Sequence, residues 1–165
     1  NNEVRSSALF FKYINYENEQ DYASKSIDYV NNEVWGNLGV AVLIKKHNSR
    51  KNKELLNSYV QNLNYGTVAI NEWPALGFII PTMPWGGYPG NKDSDIQSGQ
   101  GYVHNALFFE SPLKGVLYSK FKLPLIDPVW FTSNKKGRKV FKNLTYYQIE
   151  NSKINLIKLL FSALI

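Results

Sequence analysis

The sequence predicts an α/β fold in which parallel strands alternate with helices in a βαβαβ unit. Two short and nearly continuous apolar runs, residues 40–44 and Thr67–Ile70, are typical of strands that are covered on both faces. Before each run, apolar residues recur at three- and four-residue steps, which is the spacing of an amphipathic helix. The connections are long enough for the crossovers that parallel strands need, so the predicted order is strand, helix, strand, helix, strand.

The unit begins with residues 8–14, a compact apolar and aromatic run that predicts a buried first strand. A polar break and a helix follow, with Asn18 or Asp21 as the expected N-cap. Gly36 and Gly39 are expected to end this helix. Its apolar residues at helical spacing are Tyr22, Ala23, Ile27 and Val30.

Residues 40–44 form the second predicted strand, and Thr67–Ile70 form the third. The helix between them is expected to start at a cap formed by Asn48 and Ser49. Its apolar positions are Leu55, Leu56, Tyr59, Val60 and Leu63. These positions lie on one side of a helix, as a face that covers a sheet requires.

No periodicity persists over residues 71–101, which contain four prolines and six glycines. A loop of this length inside a compact domain usually has a function. After it, residues 102–109 and 115–121 are predicted to be extended, and the latter form a β arm. A basic loop and two helices, Gly137–Glu150 and Lys153–Leu164, are expected to complete the chain. We therefore expect two regions, residues 1–121 and 122–165.

Composition excludes several classes of function. A hydrophobic share of 44% over 165 residues is enough for a folded domain with a core. The chain has no cysteine, which excludes a disulfide scaffold, a thiolate metal site and cysteine catalysis within it. His47 and His104 lack a second ligand at metal-binding spacing, so no metal is expected, and His104 is interpreted as a satisfied structural residue. Ser98 lacks the pattern of a nucleophile elbow, and no catalytic residue is predicted.

The formal charge of +6 is compatible with a polyanionic partner, but its basic runs are interpreted as solvated faces. Most aromatic residues fall inside apolar runs, where burial explains them, so nucleic-acid binding is disfavoured. Residues 154–165 are too short for a membrane span of about 20 residues. Docking onto the rest of the protein is favoured for them over contact with a membrane surface. No signal peptide is visible, and a cytoplasmic location is expected.

Short motifs carry a resemblance to a known family. Residues 65–71 read Tyr-Gly-Thr-Val-Ala-Ile-Asn, residues 84–88 read Pro-Trp-Gly-Gly-Tyr, and residues 97–101 read Gln-Ser-Gly-Gln-Gly. Asn31 and residues 35–38, Trp-Gly-Asn-Leu, precede them. In this order and spacing the motifs resemble the C-terminal part of the catalytic domain of the aldehyde dehydrogenase superfamily. Residues 89–96 stand as an insertion where most members join the last two motifs.

The resemblance implies that the parent protein oxidises an aldehyde to a carboxylic acid with NAD or NADP as cofactor. Glu3 is similar to the family residue that hydrogen-bonds the ribose hydroxyls of the nicotinamide nucleotide. Arg5 and Ser7 stand where the family has an aromatic ring and a proline. The nucleophilic cysteine of the family has no counterpart here, so this chain is expected to be inactive by itself.

The resemblance also assigns roles to the long loop. Trp73, Phe78 and Trp85 are expected to line the substrate pocket, with packing beneath the loop as their alternative role. Backbone conformation at turns is expected to matter at a further set of positions. These are Gly66, Asn71, Pro84, Gly86, Gly87, Ser98 and Gly99.

Partners follow from the same resemblance. The remaining catalytic and cofactor domains of the parent are expected to contact this chain. Residues 114–116 fall where the family has an arm strand that pairs across subunits, which implies a homo-oligomer. Two alternatives stay open: a non-catalytic module that binds polyanions or a membrane surface, and a degenerate relative with a scaffolding role.

Overall fold

A computed structural model of the protein describes residues 9–44, 50–104, 109–121 and 134–164. The chain divides into two compact units, residues 1–122 and 123–165. The first unit is a mixed α/β unit, and the described part of the second unit is helical. Its elements in chain order are α1 (Glu19–Asn32), β1 (Gly39–Val42), α2 (Arg50–Asn62), β2 (Thr67–Ile70), α3 (Leu76–Ile79), β3 (Trp85–Gly86), β4 (Tyr102–Val103) and β5 (Gly115–Tyr118).

Helix α1 starts at the N-cap that the sequence predicts. Asn18 has an extended backbone, and its side-chain oxygen accepts the backbone N–H groups of Gln20 and Asp21, each at 3.1 Å. This side chain therefore satisfies N–H groups that have no partner within the helix. The helix ends at Asn32, earlier than the predicted glycines. The predicted cap of α2, Asn48-Ser49, lies outside the described residues.

Strands β1, β2 and β5 form a three-stranded parallel sheet with β2 at its centre. Every residue of β2 is buried. One side of β2, with Val68 and Ile70, packs against α1 and α2. The buried residues of this core are Ala23, Ile27, Leu55, Leu56, Tyr59, Leu63, Tyr65, Val68 and Ile70. The apolar faces predicted for the two helices thus cover the sheet, except that Tyr22 is exposed.

The other side of the sheet is covered by the chain that follows β2. Gly39, Thr67 and Gly115 are neighbours in register across the three strands. A Cβ at Gly39 would lie 3.0 Å from the Cβ of Pro74, and one at Gly115 would overlap the side chain of Met83. The two glycines therefore allow the loop to approach the sheet closely on both flanks of Thr67.

The predicted first strand is wrong. The described part of this run, residues 9–14, contains no strand, and Phe10 and Phe11 are 81% and 78% exposed. The third strand of the sheet is β5 instead, which pairs in parallel with β2 of the same chain. A central strand has only two edges, and here β1 and β5 take both. The segment expected to be an arm for another subunit is therefore an edge strand of the chain's own sheet.

Two of the predicted extended segments are shorter than expected. Strand β4 covers Tyr102–Val103 only, and residues 105–108 lie outside the described chain. Within the loop, α3 provides one helical turn, and β3 pairs with β4 in antiparallel fashion. The loop therefore contains more regular structure than its lack of periodicity predicts.

The second unit contains α4 (Gly137–Glu150) and α5 (Lys153–Leu164), with the predicted boundaries. Asn151 ends α4 in the left-handed region, with φ at 45°, and its N–H donates to the carbonyl of Tyr147 at 2.7 Å. The Ser152 hydroxyl accepts the N–H of Asn155 at 3.2 Å and caps α5. The two helices thus form a hairpin. Among the described helices, none is long and apolar enough to cross a membrane.

Two tyrosines in the core of the first unit are expected to make its stability fall at alkaline pH. Burial raises the pKa of Tyr59 and Tyr65 above the ordinary value of 10.0. Their contribution to stability is complete below pH 10.0 and is lost as the pH rises through the raised values. Between pH 10.0 and the raised pKa values, we expect the free energy of unfolding to fall by up to about 1.4 kcal/mol per pH unit for each tyrosine. Urea unfolding at stepped pH measures this slope.

The control for this prediction is the double variant Tyr59→Phe/Tyr65→Phe, which keeps both rings and should flatten the slope. Lys114 acts in the opposite direction, because burial lowers its pKa below 10.5 and the cost of its buried charge is relieved as the pH approaches that value. The chain has no cysteine, so no thiol titrates in this range. An unchanged slope in the double variant would contradict the assignment to these tyrosines.

Candidate functional site

Most of the predicted turn residues meet at the amino-terminal edge of the sheet. Gly66 directly precedes β2, and its carbonyl accepts the N–H of Gly115, the first residue of β5, at 2.8 Å. The loop segments around Gly86 and Gly99 lie against it. We call the five glycines at this place the glycine junction: Gly66, Gly86, Gly87, Gly99 and Gly101.

Backbones within the junction approach so closely that no side chain fits between them. A Cβ at Gly66 would overlap the carbonyl oxygen of Gly86 and lie 2.9 Å from its carbonyl carbon. A Cβ at Gly86 would overlap the carbonyl oxygen of Gly101, and one at Gly87 that of Gly99. Three stretches of main chain are therefore stacked in direct contact, which only glycine allows.

Backbone conformation gives a second reason for glycine here. Gly99 and Gly101 have φ angles of 108° and 76°, in the region that residues with a Cβ rarely adopt. No heavy atom lies within 4 Å of a Cβ built at either position. At these two sites the requirement is conformational, whereas at Gly66 and Gly86 it is steric.

Side chains from the loop fasten the turn after α1 to the junction. The Gln97 side-chain oxygen accepts the N–H of Gly36, and the Ser98 hydroxyl accepts the N–H of Asn37, both at 2.7 Å. The carbonyl of Asn37 then accepts the N–H of Gly66 at 2.9 Å. Three segments that are far apart in the sequence are thereby joined by consecutive hydrogen bonds.

Asn91 extends this network. Sequence reasoning did not single out this residue, because it lies in the segment inserted between the two motifs. Its side-chain nitrogen lies within hydrogen-bonding distance of the Asn37 side-chain oxygen at 3.1 Å and the Gly99 carbonyl at 2.9 Å. The carboxylates of Asp93 and Asp95 accept hydrogen bonds from glutamine amides of the same loop at 2.8 Å. The described residues contain no group of three or more acidic, histidine or cysteine side chains that would hold a metal ion.

Two of the predicted pocket residues lie together in an aromatic cluster. The rings of Phe78 and Trp85 meet edge to face with centroids 6.0 Å apart, and the imidazole of His104 lies 5.2 Å from Phe78. Phe78 and Trp73 are each about half exposed, at 54% and 49%. The cluster forms a partly open apolar surface on α3 and β3.

His104 belongs to this cluster although it was expected to be a satisfied structural residue. Its φ is 65°, and its Nδ1 atom is buried without a hydrogen-bond partner among the described residues. The positive φ and the unpaired nitrogen are features that sequence alone does not reveal. His104 is the one ionisable side chain in ring contact with Phe78 in the described part of the chain.

Asn71 lies at the opposite, carboxyl-terminal edge of the sheet and is not part of the junction. Its side-chain oxygen accepts the N–H of Ile44 at 2.7 Å, and its side-chain nitrogen donates to the carbonyls of Ile44 at 2.9 Å and Ser119 at 3.4 Å. Its own N–H donates to Val42 at 2.9 Å. Asn71 thus ties the ends of the two outer strands to the central one. Its φ of 55° suits asparagine better than most residues.

Lys114 connects helix α2 to the start of β5 beside the junction. Its ammonium group donates to the carbonyls of Val60 at 2.9 Å and Leu63 at 2.6 Å, at the end of the helix. Burial lowers the pKa of Lys114. Pro84 lines a small cleft next to this lysine and Gly66. Lys114 therefore has a structural role in this chain.

The site offers shape and an apolar surface rather than reactive groups. The chain has no cysteine, and Glu3, the predicted cofactor contact, lies outside the described residues. Comparison with protein-family profiles, with curated proteins and with solved structures finds no match to this chain.

Proposed function

We propose that this chain is the C-terminal part of an NAD(P)-dependent aldehyde dehydrogenase, an enzyme that oxidises an aldehyde to a carboxylic acid. One observation supports the proposal most. The segments that resemble this family are far apart in the sequence, yet Gln97 and Ser98 hold the turn at Gly36 and Asn37, and Gly66 stacks on Gly86. If the motifs resembled the family only because glycine and proline are common in turns, we would not expect these segments to contact one another.

In this proposal the chain shapes the reaction site but does not perform the reaction. Aldehyde oxidation of this type needs a cysteine thiolate as nucleophile, a general base, hydrogen-bond donors for the oxyanion and a nicotinamide cofactor that accepts hydride. The chain has no cysteine, so the thiolate belongs to the rest of the parent enzyme. Trp73, Phe78 and Trp85 form the wall of the pocket that receives the aldehyde, and Glu3 contacts the ribose of the cofactor.

The proposed partners are the remaining catalytic and cofactor domains of a cytoplasmic parent enzyme and a second copy of it. Strand β5 is an edge strand of the described sheet, with β2 on one side. If two copies exchange β5, the β5 strand of each copy pairs with β2 of the other copy in the register seen here. The result is a symmetric dimer. This arrangement would reconcile the arm strand of the family with the pairing seen within this chain.

The first test compares the isolated chain with the chain joined to its upstream coding region. We expect no aldehyde-dependent formation of NADH or NADPH by the isolated chain, because it lacks the thiolate. We expect turnover once an upstream region that carries a cysteine is included. Turnover by the isolated chain, or an upstream region without a cysteine, would refute the proposal.

A second test addresses the pocket wall in the joined enzyme. Phe78→Ala removes the ring that contacts Trp85 and His104. We expect it to lower kcat/KM for apolar aldehydes by about tenfold, the loss of roughly 1.4 kcal/mol of transition-state stabilisation, with the KM for the cofactor unchanged. Ile79→Ala is the matched control, since Ile79 is exposed on the same helical turn. Equal kinetics for the two variants would remove Phe78 from the pocket.

A further inference from the structure

The α4–α5 hairpin exposes most of its large apolar side chains, with Val140 as a buried exception, and buries two polar ones. Asn155 and Ser162 are 7% and 3% exposed. The Asn155 amide donates to the Glu150 carboxylate at 2.7 Å and to the Tyr146 carbonyl at 3.5 Å, so this side of α5 faces α4. A helix hairpin in water normally has the opposite arrangement, with its apolar stripe between the helices.

The exposed side of α5 is a continuous apolar face. Its members follow one another at three- and four-residue steps, so they lie on the same side of the helix. Each of them is more than half exposed to solvent. They are Ile154, Ile157, Leu160 and Phe161. We call this set the α5 apolar face, and an exposed cluster of this kind is typical of an interaction surface.

The hairpin and the three residues before it carry the entire net charge of the chain. Residues 134–164 contain seven basic residues and one acidic residue, a formal charge of +6, whereas the rest of the chain has twelve of each sign. The single acidic residue, Glu150, accepts a hydrogen bond from Asn155. Lys153 and Lys158 are exposed on α5 itself. The other basic residues are Lys135, Lys136, Arg138, Lys139 and Lys142.

We infer that the α4–α5 hairpin binds the surface of an anionic lipid bilayer. The α5 apolar face would enter the boundary between headgroups and acyl chains, and the basic residues would contact anionic headgroups. A nucleic acid would match the charge but would leave the aliphatic side chains in water. A second copy would match the apolar face but would bring two segments of +6 together. An anionic membrane surface complements both features.

This inference is an alternative to the expectation that the last helix docks onto the rest of the protein. That expectation treated residues 154–165 as a single short helix with one face to bury. Within the hairpin, Asn155 places a polar side of α5 against α4. The α5 apolar face is not used by that contact, and neither helix is long enough to span the bilayer, so the hairpin would lie along the surface.

The test is co-sedimentation of the full chain with lipid vesicles. At about 0.1 M salt, we expect binding to vesicles of phosphatidylcholine with roughly one-third phosphatidylserine to be at least about tenfold stronger than to phosphatidylcholine alone. Raising the salt should weaken binding, because screening acts on the headgroup contacts. Equal binding to both vesicle types, or no binding to either, would overturn the inference.

Two double variants separate the charged from the apolar contribution. Lys139→Gln/Lys153→Gln removes two exposed charges, and we expect it to weaken vesicle binding on the order of twentyfold. Ile157→Ser/Phe161→Ser removes two members of the α5 apolar face and should weaken it by at least about tenfold. All four side chains are exposed, so the helical circular dichroism signal should persist.

Matched controls come from the first unit. Leu9→Ser/Leu43→Ser removes two exposed apolar side chains, and Lys92→Gln/Lys120→Gln removes two exposed charges. Both should bind vesicles within about twofold of the parent chain, since they lie outside the hairpin. Losses equal to those of the hairpin variants would overturn the inference.

The competing occupants give distinct results. If a second copy covers the α5 apolar face, sedimentation velocity without lipid will show a dimer that Ile157→Ser/Phe161→Ser dissociates. If a nucleic acid is the partner, duplex DNA will bind more tightly than vesicles and the same variant will not weaken it. Either result would replace the membrane surface as the partner.

Discussion

Replacing Gly66 with alanine is expected to lower the free energy of unfolding by about 3–5 kcal/mol, a large part of the 5–15 kcal/mol typical of a domain. The added Cβ would overlap the carbonyl oxygen of Gly86. Because this oxygen is a backbone atom, no side-chain rotation can relieve the overlap. Relief requires the loop to leave the sheet edge, and then the hydrogen bond from Gly66 to Asn37 is disturbed as well. Urea denaturation followed by circular dichroism measures the loss.

Gly101→Ala is the matched control for this steric effect. Its φ of 76° disfavours a Cβ, but no atom lies within 4 Å of the added carbon. We expect a cost of about 1–2 kcal/mol, which is the conformational term alone. Gly86→Ala should resemble Gly66→Ala, because its Cβ meets the backbone of Gly101. If Gly66→Ala and Gly101→Ala cost the same, close stacking at the junction would be the wrong explanation.

Local signals account for what the sequence predicts well. Helix α1 begins at Asn18, whose side chain caps it, and α4 ends at Asn151, which adopts the left-handed conformation. Both effects act over a few residues, so they are visible in the sequence. The apolar runs of β1 and β2 likewise predict strands because their neighbours in the chain are clear helices.

The failures all depend on contacts between distant residues. Residues 8–14 are as apolar as β2, but a run becomes a strand only where it pairs, and the edge of β2 opposite β1 pairs with β5 instead. Nothing in the composition of residues 115–121 favours them over residues 8–14. The sequence therefore predicts an α/β unit correctly and assigns one of its three strands to the wrong segment.

The distinction between local signals and contacts of distant residues also applies to the site. A dense set of glycines predicts that backbone geometry matters, but not which chain segment each glycine touches. Thus Gly66 and Gly86 were expected as separate turns, and in the structure they contact each other. Asn71 was grouped with these glycines and lies at the other edge of the sheet. The role of Lys114 as a cap of α2 was missed, since helix and lysine are more than fifty residues apart.

Asn71→Ala is expected to lower the free energy of unfolding by about 4 kcal/mol. The variant loses three side-chain hydrogen bonds that join β1 and β5 to the end of β2, each worth about 1 kcal/mol, and leaves half-buried partners unpaired. It also places alanine at a φ of 55°. Asn71→Gly relaxes the backbone but loses the same bonds, so it should recover only about 1 kcal/mol of the loss. Full recovery by glycine would show that φ, and not the amide, is what the position requires. Chemical denaturation of the three proteins separates the two contributions, and protection of the Ile44 amide from hydrogen exchange should fall in both variants because its acceptor is gone.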